Sequence, residues 1–503
     1  MIRSRIAPVV LAIAFAVLAG CAPAGRAPGT STAPRLVLLY ATCSLSKDYL
    51  SPYNDGVAYT PSLARFAQDG LVFDRHQTES GQSGVSFASL FTGTQATGHG
   101  VFSHPARLGD EQYMIGEAFR DAGYDLYGWL DHRMASAELN YAQGISPSQA
   151  FDGRLSADDK RFNQVLDRLE SDPDYRVFIV TNFTVTHSPY KARLLGAFCR
   201  SHPDACAVRE NDEDEFNRYR ALYRGAFLDW SYDFDDTARG FDVGAEAVDT
   251  MSEVVETLYE ASVFQLDRMF GAVLGEIAQR GLLDESLIVF TADHGEILRR
   301  DGALFNWSHG FQLAPEVLSV PMMLYGPGVV PGRYGAVSRS IDVFPTVAGL
   351  AGVEVRSALE GEDLSEAIRR PATVAPPERL GYSHTSLFSD EVWQRYSRYE
   401  SLSSRFTQDD PEAIWVGARQ GDRMFKIRRR ADGKWETVAF DLASDPTETV
   451  DIFDPANAAH AEVAAALRNY KSALLAAHAK MPAKDMLDSE RRLELLRSLG
   501  YVD

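Results

Sequence analysis

Apolar residues fall in short, uninterrupted runs separated by stretches with helical spacing. Leu36 to Tyr40, Leu71 to Phe73, Val177 to Val180, Leu287 to Phe290 and Val320 to Leu324 are bare apolar segments. Such runs suit strands buried on both faces of a parallel sheet. Between them, Thr60-Pro61 opens a helix whose Leu63, Phe66 and Ala67 share one face, and Gly70 stops it. Gly81-Gln82-Ser83-Gly84 forms a small, flexible loop before a helical stretch holding Phe87, Leu90 and Phe91. Val255, Tyr259, Leu266, Phe270, Val273 and Ile277 mark one face of a long amphipathic helix, with Gly281 placed to end it. This alternation predicts an α/β fold, a mostly parallel sheet sandwiched by helices. Ligands then belong at the C-terminal ends of the strands.

The first residues carry a different pattern. Met1 to Arg5 hold two arginines, Ile6 to Ala19 are uncharged and apolar, and Leu18-Ala19-Gly20-Cys21 closes the run. That length fits a secretory signal better than a spanning helix. The ending resembles a bacterial lipobox, which would make Cys21 the lipidated start of an exported, membrane-anchored lipoprotein on the periplasmic side. Residues 22–34, rich in Pro, Gly, Ser and Thr, read as a tether. In an oxidising compartment Cys199 and Cys206 can form a local disulfide, leaving Cys43 over.

Chemistry collects where the strands end. Asp293, His294 and Gly295 follow the strand at Leu287, and a carboxylate beside an imidazole suits Zn or Mn. His187 follows Val180 in Thr186-His187-Ser188-Pro189-Tyr190, and Cys43 follows the first strand. His309 lies in Trp307-Ser308-His309-Gly310. Ser83 sits in a glycine-bearing loop at a helix N-terminus, where free N–H groups favour an oxyanion. A net charge of -20 argues against nucleic acid as a partner. Residues 191–249, polar, acidic and aromatic, read as an insertion, either a lid over the site or a docking surface.

Taken in order, TPSLARFA from Thr60, ASLFTG from Ala88, THSPY, TADHGE, SHG, VPMMLYGPG and DVFPTVAGLAGV resemble the sulfatase family of the alkaline phosphatase superfamily. FKIRRR and AFDLASDPTETVDIF resemble its small antiparallel subdomain. The resemblance implies an α/β catalytic domain over residues 35–375 and a C-terminal subdomain over 376–503. It implies a metal-dependent hydrolase of sulfate or phosphate esters.

This chain departs from the family pattern at two places. Where a Cys or Ser in C/S-x-P-S-R becomes formylglycine, the aligned residues are Ser83-Gly84-Val85-Ser86-Phe87, with Val for Pro and Phe for Arg. Formylglycine is therefore not expected, and Ser83 resembles the unmodified nucleophile of related phosphoethanolamine and lipoteichoic-acid transferases. After the first strand, Thr42 or Cys43 stands where the family has an acidic metal ligand. A thiolate at Cys43 can bind Zn; otherwise it is a small buried residue and the ligand is lost. The family's usual Lys and Arg pair is not evident. The expected site is thus Asp293, His294, Ser83 and Cys43 around one divalent ion, Zn or Mn rather than Ca. Ser83 acts as nucleophile, and His187 and His309 stabilise charged oxygens or protonate the leaving group, with His99 structural. An envelope phospho-group transferase and a non-catalytic ligand-binding relative are the alternatives.

Overall fold

The computed structural model describes residues 33–188, 190–206, 245–298, 309–310, 312–371, 379–385, 414–429, 434–480 and 489–498. Residues 1–32, with the expected signal segment and most of the expected tether, and Asp212 and Trp230 of the expected insertion lie outside the described residues. No described helix is long and apolar enough to cross a membrane.

An eight-stranded sheet runs in the order β4-β3-β5-β1-β6-β7-β2-β8. Its centre is β1 (Leu36–Thr42), flanked by β5 (Val177–Thr181) and β6 (Ser286–Ala292), and all three are buried throughout. Both pairings are parallel, and β1 and β6 stay in register from Leu36↔Ser286 to Thr42↔Ala292. Apolar side chains point to both faces, so each face buries its own core under a layer of helices. The exception to parallel pairing is β7 (Met322–Tyr325), antiparallel to both β6 and β2 (Leu71–Gln77). Beyond the expected strands lie β3 (Asp125–Trp129), β4 (Ala150–Phe151) and β8 (Gly332–Arg339). These carry exposed or half-buried positions, which break up the apolar run that would betray them.

The helix Pro61–Asp69, here α1, packs on the long helix Ala245–Gln279, and Gly281 follows with φ +71°. Helix α2 (Ser83–Thr92) is buried along its whole length, an apolar element held between the sheet and its outer helices. Cys199 and Cys206 are disulfide-bonded just before residues 207–244, which lie outside the described residues.

A second sheet, antiparallel in the order β12-β11-β10-β9, spans β9 (Gly381–His384), β10 (Val416–Gln420), β11 (Arg423–Arg429) and β12 (Trp435–Asp441). It docks on the segment that leads from β2 to Ser83. The His384 N–H donates to Glu79 O (2.9 Å), and Ser383 Oγ to Thr78 O (2.6 Å). Beneath this junction Arg339 donates to both carboxylate oxygens of Glu79, at 2.9 and 2.6 Å, with both side chains buried. Burial pushes the Glu79 carboxyl up to about 7, while Arg339 pulls it back. Removing one partner strands a charge in the interior. Arg339→Met is therefore expected to lower unfolding stability by about 3–5 kcal/mol in urea titration. The double variant Glu79→Leu/Arg339→Met should recover part of that loss; equal stability of Arg339→Met and wild type would show the pair to be dispensable.

Candidate active site

Parallel pairing of β1 with β6 puts their C-terminal ends side by side, and the site grows from there. The Asp293 N–H continues the ladder to Thr42 O (3.0 Å). Ser44, a non-glycine residue with φ +54°, turns the chain so that its N–H donates to Asp293 Oδ1 (3.1 Å). The Tyr259 hydroxyl donates to Ser44 O (2.7 Å) and accepts from Ser46 N–H (2.9 Å), which holds this uncommon conformation in place. On the other side Gly295 permits a very close approach, since a Cβ there would lie 1.9 Å from Glu316 O.

These turns gather the residues picked out in the sequence. Ser83 Oγ lies 3.0 Å from His294 Nε2 and 3.2 Å from Cys43 Sγ, and Sγ is 3.9 Å from His294 Nε2. Ser83 is the first residue of α2, but its hydroxyl makes no capping bond, and Gln82 is the N-cap. Cys43, not Thr42, faces the site: the Thr42 hydroxyl turns to Phe183 O (3.2 Å) and Thr186 Oγ1 (3.5 Å). Gly84 allows the neighbouring loop in, because a Cβ there would lie 2.8 Å from His104 Cβ. Phe87, aligned with the family's arginine, is fully buried against Phe91 and His132, at centroid distances of 5.5 and 5.8 Å. His99 stays outside this group, bonded to Ser89 Oγ (3.0 Å) and the Val101 N–H (3.1 Å).

Hydrogen bonds at Nδ1 assign the histidine tautomers. His294 Nδ1–H donates to Gly295 O (2.8 Å), His187 Nδ1–H to Ser188 O, and His309 Nδ1–H to Glu296 Oε1 (3.0 Å). Each then carries its ring lone pair on Nε2. With His294 an acceptor, Ser83 O–H donates to it and Cys43 S–H donates to Ser83. His132 is the opposite case. Its Nδ1 accepts the Met134 N–H (3.1 Å), so Nε2 carries the proton and is a donor. The His309 ring lies 4.3 Å from that of His294 and 5.3 Å from that of His187; His132 is 5.8 Å from His187. Burial drives His187 and His309 down to about 4, and it also lowers His294 and His132, so the imidazoles are neutral at neutral pH. Burial, and then the charge of Asp293, pushes the Cys43 thiol well up.

Two groups bring three ligand atoms within 4.8 Å of one another: Cys43, Asp293 and His294, and Cys43, His132 and His187. The first fits a cation. Asp293 Oδ2 is buried with no hydrogen-bond partner, the His294 Nε2 lone pair lies 3.5 Å from it, and a thiol completes a Zn-type donor set. The second fits less well, because the Nε2–H of His132 suits an anionic oxygen rather than a metal. Its Nε2 and that of His187 are both buried without partners.

His132, His104 and Glu296 were not picked out from the sequence. His132 follows β3, whose run LYGW is too short and too mixed in exposure to stand out, but a histidine just past a strand end was the available signal. The loop bearing it is clamped by Asn182, which accepts from the His132 N–H (3.1 Å) and donates to Ala135 O (2.7 Å).

Comparison with known proteins bears on the fold and the family. Choline-sulfatase of Rhizobium meliloti (strain 1021) is 26% identical over 246 residues, 47% of this chain and 44% of that protein. The chain thus spans less than half the length of this curated relative. A solved structure holding its substrate D-glucosamine-2-N,6-O-disulfate has a TM-score of 0.63 at 18% identity, covering 89% of this chain and 98% of that one. Phosphonate monoester hydrolase of Agrobacterium radiobacter has a TM-score of 0.59 at 17% identity, covering 90% and 97%. At these identities the solved structures share the fold. The family model named Sulfatase matches residues 35–353, from the first strand through the helix Val343–Ala351, and the chain belongs to the sulfatase family.

Proposed function

We propose that this protein is a metal-dependent hydrolase of sulfate or phosphate esters in which unmodified Ser83 is the nucleophile. One observation carries the reading: Ser83 Oγ lies 3.2 Å from Cys43 Sγ and 3.0 Å from His294 Nε2, itself 3.5 Å from the unpartnered carboxylate oxygen of Asp293. Asp293, His294, Cys43 and Ser83 would hold one divalent ion, Zn or Mn. When bound, such an ion lowers the pKa of the serine hydroxyl and polarises an ester oxygen.

The remaining steps fall to the protein's own groups. Ser83 Oγ attacks sulfur or phosphorus, an O–S or O–P bond forms, and the alcohol leaves. The His132 Nε2–H donates to a non-bridging oxygen as negative charge grows there. The neutral Nε2 atoms of His187 and His309 accept the proton that Ser83 gives up and return it to the departing alkoxide, and the same groups then take a proton from the water that displaces Ser83. The sequence adds a location, with Cys21 as a lipid anchor and residues 22–34 as the tether to a membrane surface.

Metal analysis of the chain lacking residues 1–21 should find one Zn or Mn per molecule. That ion should be absent from Asp293→Ala and reduced in Cys43→Ala; no uptake at neutral pH after Zn or Mn is supplied would sink the catalytic reading. Ser83→Ala should lower release of sulfate or phosphate from aryl esters by at least about a thousand-fold. Mass spectra of the Ser83 peptide should show serine and not an aldehyde. Cys21→Ser should move the expressed protein from membranes to the soluble fraction, and unchanged membrane association would refute the anchor.

A further inference from the structure

Glu296 is a carboxylate in the interior of the site that the reaction above does not use. It sits three residues beyond Asp293 and is buried, with its side chain fully enclosed. Its main chain is fixed at both ends: the N–H donates to Ser46 Oγ (2.9 Å), and the carbonyl accepts from the same hydroxyl (3.0 Å). Its two oxygens serve different loops. Oε1 accepts from His309 Nδ1 (3.0 Å), and Oε2 accepts from the Tyr190 hydroxyl (3.3 Å). Enclosing a carboxylate against neutral donors is costly and does little for packing. The arrangement matches the way enzymes fix an imidazole, with a buried acceptor on one ring nitrogen deciding what the other presents.

We propose that Glu296 is the positioning residue for His309, holding the proton on Nδ1 and so presenting Nε2 as a lone pair toward the Ser83 site. Tyr190 steadies the carboxylate from the loop after β5. One side chain thereby joins three loops: that of His187 and Tyr190, that of Asp293 and His294, and the segment bearing His309. The inference rests on the proposed role of His309 in ester cleavage, but the tautomer it specifies is measurable without turnover.

Two substitutions separate the acceptor from the volume. In Glu296→Gln the amide oxygen can still take the His309 proton while its NH2 group meets the Tyr190 oxygen. In Glu296→Met a side chain of similar length has no acceptor, and Glu296→Ala replaces it if that chain does not fold. Proteins labelled with 15N at their eleven histidines would be compared by long-range 1H–15N NMR, with His309→Ala identifying the signal. His309 should show the Nδ1–H tautomer in wild type and Glu296→Gln, and should shift toward Nε2–H in Glu296→Met. On an aryl ester, Glu296→Gln should keep kcat within about ten-fold of wild type. Glu296→Met should lose about a hundred-fold in kcat with KM within about three-fold. An unchanged tautomer in Glu296→Met overturns the proposal, as does an equal kcat loss in both variants with the tautomer intact. Absence of turnover in the wild type would count against the hydrolase reading alone, because the NMR comparison still decides the role of Glu296.

Discussion

Everything at the site depends on β1 and β6 lying parallel and in register. Parallel strands release their chains at the same edge of the sheet, so Cys43 and Asp293 emerge side by side though 250 residues apart. The ladder's last bond, Asp293 N–H to Thr42 O, and the turn at Ser44 convert that proximity into a fixed angle between thiol and carboxylate. A slip of one residue by either strand would turn its side chains to the opposite face of the sheet. The uniform burial of both strands protects against such a slip, since it would disturb two cores at once.

On this base the histidines are sorted by what their Nδ1 atoms meet. Backbone carbonyls and a carboxylate accept hydrogen bonds from Nδ1–H of His187, His294 and His309, whereas a backbone N–H forces the reverse on His132. Identical side chains thereby become acceptors at three positions and a donor at the fourth. Positive charge is supplied sparingly, because burial keeps these imidazoles neutral and Phe87 occupies the aligned arginine position. A bound cation would be the dominant charge in the pocket.

Much of this was legible in the sequence, because the central strands are bare apolar runs and each delivers a reactive residue at its end. Asp293, His294, His187 and Cys43 announced themselves in this way, Ser83 did so by its glycine-bearing loop at a helix N-terminus, and the fold brings them together with His309. The choice between Thr42 and Cys43 was not legible, since it turns on which way the chain bends after the last ladder bond. Nor was Glu296, whose significance lies in a contact with His309 across an intervening segment. The outer strands β3 and β8 escaped notice because partial exposure dilutes their apolar pattern, and His132 escaped with β3. Strand order, including the reversed β7, follows from long-range packing that local periodicity does not encode.

The complete burial of α2 has a consequence for what position 87 can hold. A helix with an exposed face can accept a charged residue and let it reach water, but α2 has no such face. An arginine at position 87 would place a guanidinium among Phe91, His132 and the surrounding core, with no solvent to receive it. Such a protein would be destabilised before it could gain any new chemistry. The aromatic packing of α2 thus fixes which side chains the site can recruit from this helix.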